Sequence, residues 1–291
     1  MMKNMKNRSY KRIVCMMILI MAVIAAAVIG GLNRMRDINE EKSISINEIN
    51  AIRVDMTSIR VHFIRTKTGN EVKANFHGKA MQEIELITNT DKDTLFITVQ
   101  RRHENLPIYE DVALDVSIPE IYTKNLSIKM LSGDVKIDPL NLESLIFHTS
   151  SGKLEAEQIK AGEIAVTSAS GSIKMDDCNA KKTKIITSSG NITLKNSVGD
   201  LDLKSSSGKV QADYMNFENQ NMKIETASGS VKLELPDTAE FLVEAKTSSG
   251  DFKSDFPIQI TNKKDVNGQI GTKNNTIMLQ TLSGSMKICK K

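Results

Sequence analysis

The chain of 291 residues has no tryptophan, four tyrosines and eight phenylalanines. An interior of this size must therefore be filled by aliphatic side chains rather than by rings. Its three cysteines, Cys15, Cys178 and Cys289, lie far apart. That spacing offers neither a disulfide framework nor a set of metal ligands, so an exported domain of this chain must be held by its core alone. Nucleophile elbow, phosphate loop and metal-binding motifs are missing as well. So is the Gly-Gly-x-Gly-x-Asp repeat of calcium-binding β-rolls. Nothing here implies a cofactor, and the reading is of a protein that is not an enzyme.

A concentrated basic footprint is also lacking. The formal net charge is +4, but seven of the 39 basic residues lie at or before Arg36 and all 35 acidic residues lie after it. The remainder of the chain is near −3, which excludes the usual signature of a nucleic-acid partner.

Only one long apolar run is present, from Ile13 to Leu32, twenty residues without a charge. That is the length of a helix crossing about 30 Å of hydrocarbon. Lys3, Lys6, Arg8, Lys11 and Arg12 precede it with no acidic residue among them, whereas Asp37, Glu40 and Glu41 soon follow Arg34 and Arg36. The more positive flank stays in the cytoplasm. The expectation is a single-pass integral membrane protein of the cell membrane, with residues 1–12 a cytoplasmic basic tail, 13–32 a transmembrane helix and 33–43 a linker. The alternative is a cleaved signal peptide, whose apolar stretch is ordinarily shorter and followed by a small-residue cleavage site.

What the sequence has in abundance is a repeat. A Ser-Gly pair recurs with glycine at Gly133, Gly152, Gly171, Gly190, Gly208, Gly229, Gly250 and Gly284, at intervals of 18 to 21 residues until a final one of 34. Counting from each glycine, position −5 reads Ile128, Phe147, Val166, Ile185, Leu203, Ile224, Ala245 and Leu279. Position −7 is apolar in all but Thr183, position −3 is Thr or Ser after Met130, and position −1 is always Ser. Beyond the glycine, position +2 is always apolar, from Val135 to Met286. Alternate residues of a strand share a face, so these columns predict a strand with −7, −5, −3 and −1 pointing inward. A corner at the glycine and a second strand with +2 and +4 inward complete the unit. The one-residue phase slip at the glycine calls for a backbone conformation that glycine adopts freely.

One such unit cannot bury its apolar side, but stacked units share a core. The sequence therefore predicts an all-β fold, a β-solenoid resembling a single-stranded right-handed β-helix of about eight coils over 122–291. An antiparallel meander is the rival architecture, and it would need tight two-residue hairpin loops. Residues 44–121 carry no Ser-Gly columns but alternate as strands, for example Ile59-Val61-Phe63 and Leu114-Val116-Ile118. They read as an N-terminal β region that caps the stack.

The run Leu114-Asp115-Val116-Ser117-Ile118-Pro119, followed by Leu126-Ser127-Ile128 and Leu131-Ser132-Gly133-Asp134-Val135-Lys136-Ile137, resembles the bacterial putative-adhesin family of β-strand-repeat domains. The likeness is to its membrane-anchored Gram-positive type and covers about residues 44–291. It implies a β-repeat domain outside the membrane, with no catalytic motif to carry over. It also implies, as an alternative role, an accessory protein of an envelope-stress response.

Binding chemistry has few places to reside. Position +3 points outward and carries Lys136, Lys174, Lys232, Lys253 and Lys287 among its eight residues. Such a stripe could contact an anionic cell-wall polymer or lipid headgroups, because aligned ammonium groups raise the local potential. The plain reading is a solvated face that discourages sheet-to-sheet aggregation. The other partner considered is an envelope protein.

The long final interval places extra residues at about 262–275, expected either to protrude as a binding loop or to be neutral. His62, His77, His103 and His148 do not cluster in sequence; His148 is expected outside, Cys178 in the core and Cys289 facing out near the end of the stack. A polysaccharide-cleaving β-helix would need carboxylates converging from neighbouring coils, and no outward column is consistently acidic: position +1 varies among Asp, Lys, Ser and Asn.

Overall fold

The computed structural model describes residues 16, 17, 21, 35–102, 110–260, 262–272 and 275–291. The basic tail, nearly all of the expected membrane helix, Cys15 and His103 lie outside the described residues. Among the described residues no helix is long and apolar enough to cross a membrane.

Among the described residues twenty-three strands follow one another. The N-terminal region forms β1 (Arg36–Ser45), β2 (Ala51–Ser58), β3 (Arg60–Thr66), β4 (Glu71–Ala80), β5 (Ile84–Asp91), β6 (Thr94–Arg101) and β7 (Glu110–Pro119). The regular repeats form β8 (Asn125–Ser132), β9 (Val135–Ile137), β10 (Asn141–Ser151), β11 (Leu154–Glu157), β12 (Lys160–Ser170) and β13 (Ile173–Asp176). They continue with β14 (Asn179–Ser189), β15 (Ile192–Ser207), β16 (Val210–Tyr214), β17 (Asn221–Ser228) and β18 (Val231–Leu235). The chain ends with β19 (Phe241–Ser249), β20 (Phe252–Ser254), β21 (Asp265–Ile270), β22 (Thr276–Ser283) and β23 (Met286–Lys290).

Each coil gives a longer strand to one sheet and a shorter strand to a second sheet that faces it. In the long-strand sheet β8, β10, β12, β14, the second half of β15 and β17 pair in parallel, level upon level. In the short-strand sheet β9, β11, β13, the first half of β15, β16 and β18 do the same. The predicted columns are the ladders: Leu145 lies opposite Ile164, and Phe147 opposite Val166. Val166, Leu203 and Ile224 are buried in one shared core with the +2 residues and every +4 residue except Ser254. The meander is thereby excluded for the repeat, and the solenoid-like stack stands.

The corners follow from the glycines. All eight have positive φ, between 112° and 146°. A Cβ on Gly171 would lie 1.8 Å from the carbonyl oxygen of Gly152, and one on Gly190 would lie 1.9 Å from that of Gly171. Glycine is thus required twice, by the backbone conformation and by the approach of the coil beneath. The serine at −1 departs from expectation: Ser151, Ser170 and Ser189 are exposed rather than stacked inside. The corner places two successive residues outward, as with Ala169 and Ser170, so the inward series ends at −3.

At −3 the buried hydroxyls divide into two groups. Thr149, Thr187 and Ser205 donate to the carbonyls of Ser151, Ser189 and Ser207 at 2.9, 3.1 and 3.0 Å. The Thr226, Thr247 and Thr281 hydroxyls are buried without a partner. A buried unpaired hydroxyl carries a desolvation cost that a paired one offsets. Thr187→Val should therefore cost about 1 kcal/mol and Thr281→Val should be neutral or stabilising. Urea denaturation of the two variants tests the contrast, and an equal loss in both would contradict it.

The ends differ from the expected order. The stack holds ten parallel levels rather than eight, because the N-terminal region contributes two coils. β2 and β3 pair in parallel with β8 and β9, and β6 and β7 stack on the far side of β2 and β3. Ile59, buried, takes the level at which the next coil has Gly133.

Antiparallel strands then terminate both sheets: β5 on β6, β4 on β7, and β1 on β4. Residues 36–43, expected as linker, are thus most of an edge strand. Glu40 on β1 accepts a 2.9 Å hydrogen bond from the Leu86 backbone N–H on β5, so a carboxylate closes the space between the two edges. A charge so placed blocks further strand addition.

At the other end β22 and β23 lie out of sequence order. β22 pairs in parallel with β17 on one side and β19 on the other, while β23 does so with β18 and β20. β21 caps β19 in antiparallel fashion.

Candidate functional surface

The five lysines occupy one ladder on the outer face of the short-strand sheet. Its order is His62, Lys136, Glu155, Lys174, Thr193, Gln211, Lys232, Lys287 and Lys253. Strand pairing sets the step at about 4.8 Å, so Lys232, Lys287 and Lys253 form the one uninterrupted basic run, near the C-terminal end of the stack. Most of this charge is matched locally. Lys136 reaches Asp138 at 3.6 Å, Lys174 reaches Glu155 at 4.0 Å, Lys232 reaches Glu234 at 2.6 Å and Lys287 reaches Asp255 at 3.3 Å. Hydrogen bonds to Glu234 and Asp255 hold the Lys232 and Lys287 ammonium groups above the ordinary lysine range. Both stay charged at neutral pH, with their fields partly cancelled. Among the described residues Lys253 makes no ion pair.

The other end of the ladder gathers residues that the sequence leaves scattered. His62 Nε2 lies 2.9 Å from Asp138 Oδ1, and His77 Nε2 lies 3.1 Å from Asp115 Oδ2. Pairing of β3 with β7 and of β7 with β4 sets both imidazoles beside a hollow of about 430 Å³ that Lys136 also lines. Each half-exposed imidazole is held by a carboxylate, so the hollow presents imidazole–carboxylate hydrogen bonds to solvent. Among the described residues no three His, Cys, Asp or Glu side chains are placed to hold a metal ion.

His148 is exposed, as its column predicts. Cys178 is buried, and burial pushes its thiol up to about 11. Cys289 stands in the outer column opposite Glu234, as expected, but it is covered and only 5% exposed. Asp255 donates its backbone N–H to the Ile288 carbonyl at 2.9 Å, which lays the segment after β20 against that strand.

The described part of the 262–275 segment does not protrude as a free loop. Part of it is the capping strand β21, and its last residue, Asn275, is 2% exposed. The Asn275 side-chain oxygen accepts from the Gln220 backbone N–H at 3.0 Å. Its amide donates to the carbonyls of Phe217 at 3.0 Å and Glu240 at 2.8 Å. Asn275 therefore binds the coil before the inserted one to the coil beyond it. In sequence it is one of four asparagines in the polar 262–275 stretch, and only its place just ahead of the −7 column hints at burial.

These features define a class: a parallel, two-sheet β-solenoid whose repeats turn on stacked glycines and whose ends are capped by antiparallel strands. Within that class the chain belongs to the Toastrack DUF4097 family, whose model matches residues 49–289. A comparison with curated proteins finds no match.

Among solved structures, the chain is similar to a putative adhesin from Bacteroides fragilis, with 13% identity, 87% of this chain and 97% of that chain covered, and a TM-score of 0.54. It is also similar to a putative cell adhesion protein from Clostridium sporogenes, with 12% identity, 88% and 100% covered, and a TM-score of 0.30. A third is a putative lipid binding protein from Parabacteroides distasonis, with 13% identity, 87% and 96% covered, and a TM-score of 0.41.

Proposed function

We propose that this chain is a membrane-anchored scaffold of the cell envelope, of the Gram-positive type, whose β-solenoid stands outside the membrane and binds in the manner of an adhesin. The anchor is the charge-free run 13–32 with its basic cytoplasmic flank. The observation that carries the binding role is the outer ladder of the short-strand sheet. It presents one polar side chain per coil at a fixed step on a rigid support, a geometry suited to a repetitive polymer rather than to a small molecule. The five lysines in it favour an anionic wall polymer, and the uninterrupted run Lys232-Lys287-Lys253 is its strongest segment. The Bacteroides fragilis protein of the same fold is described as a putative adhesin.

The test is sedimentation of the full chain with purified anionic wall polymer at low and high salt. Binding should weaken as salt rises, because exposed charges are screened beyond about 10 Å at 0.1 M ionic strength. A variant with all five lysines changed to glutamine should lose most of it. Undiminished binding by that variant would remove the ladder from the account.

A further inference from the structure

The regular coils follow one another up the stack in sequence order, but the last coil does not. β22 and β23 enter between the coil of Gly229 and the coil of Gly250 and form parallel ladders on both faces. The neighbours on either side present the same columns to it. Ile277 lies between Met222 and Val243, Leu279 between Ile224 and Ala245, and Thr281 between Thr226 and Thr247. The glycines follow suit: Gly284 sits against Gly229, and Gly250 sits against Gly284. The insert is a short segment that follows β21, and β21 lies on the outer edge of β19.

We infer that the slot between these two coils takes the C-terminal coil of a second copy of this chain as readily as its own, so that two copies pair by exchanging β22 and β23. The donated coil meets the same residues in either case: its ladders are with the Gly229 and Gly250 coils, and Lys291 after it reaches Asp213 and Asn196 further down the stack. Exchange of an identical element needs no new complementary surface. The exchange also leaves no bare edge, because both β17 and β19 regain a parallel partner. This inference is independent of the anchor and of the lysine ladder.

The experiment uses the full chain in detergent, once with an affinity tag and once without. The two are mixed at high concentration, incubated, diluted and pulled down through the tag. A second form carries Lys223→Cys and Met278→Cys, a register pair across β17 and β22. Neighbouring parallel strands lie about 4.8 Å apart, within the Cα range of a disulfide, so oxidation locks each coil in its own chain. The expected result is recovery of untagged chain that rises with incubation time. It should fall at least tenfold in the oxidised lock and return on reduction. A synthetic peptide of residues 275–291 should compete, and the same peptide with Leu279→Asp should not. Recovery that is undiminished in the oxidised lock would overturn the proposal, as would no recovery from the unlocked chains.

Discussion

Replacing Asn275 by alanine should destabilise the protein by roughly 3–6 kcal/mol, because two buried backbone groups and one part-buried one lose their partner at once, and each fully buried unpaired group costs about 1–3 kcal/mol. The Gln220 N–H, the Phe217 carbonyl and the Glu240 carbonyl all end on this one side chain. They sit where a regular coil would supply a return corner, and the inserted coil instead begins there. Next to them Tyr214, Phe217, Phe241 and Phe256 pack edge to face in a chain, with ring centroids 6.2, 6.4 and 5.1 Å apart. Water has little access to repair the loss. Asn275→Asp should be at least as damaging, since it keeps the acceptor for Gln220 but sets a carboxylate against two carbonyl oxygens. Urea denaturation gives the magnitude, and hydrogen exchange gives the location, with β22 losing protection first. A change below about 1 kcal/mol in both variants would mean that the corner is held by the aromatic packing instead.

That asparagine marks the boundary of what the sequence makes legible. The interior of the stack is readable because a period of two, repeated at fixed offsets from a glycine, leaves one face for the core: Val166, Leu203 and Ile224 could point nowhere else. The corner is only partly readable. Glycine announces the positive φ, but two successive outward residues turn Ser170 and Ser189 toward solvent, contrary to simple alternation.

The order of coils at the ends is not readable from the columns. The inward residues of β19 and β22 are interchangeable in kind, so periodicity does not say which of them lies against β17. The choice is made by connections, caps and the side chain of Asn275. The same holds at the N-terminus, where β6 and β7 pass outside β2 and β3. His62 and His77 share a hollow for that reason, although neither sits in a recognisable motif.

The ends also show how a parallel stack is stopped. Every internal level offers unpaired backbone groups to the next, so a stack without caps would continue into another molecule. β1 with its inward Glu40 ends one side, and β21 ends the long-strand sheet on the other. The exchange proposed for β22 and β23 acts one level inside that cap, where the ladder is already two-sided. Growth at an edge is not required for pairing.

The glycine corners should be the least tolerant positions in the chain. Gly171→Ala puts a methyl group 1.8 Å from the Gly152 carbonyl oxygen, at a φ of +134° that side chains rarely adopt. Neither atom can swing aside, because the oxygen belongs to the backbone of the coil beneath and the two coils are joined along their whole length by β10–β12 and β11–β13 pairing. The coils must separate locally, which breaks ladder hydrogen bonds and uncovers Ile164, Val166 and Ile173. A cost above about 4 kcal/mol is expected, in the range reserved for core disruption. Gly69→Ala supplies the control. Its φ is +106°, yet nothing lies within 4 Å of the added methyl, so only backbone strain of about 1–2 kcal/mol should appear. Because each coil touches only its neighbours, the Gly171 variant should also lose hydrogen-exchange protection first in β10 to β13 while the C-terminal coils keep theirs. Equal urea midpoints for the two variants would show that the glycines serve the turn alone and not the close stacking of one coil on the next.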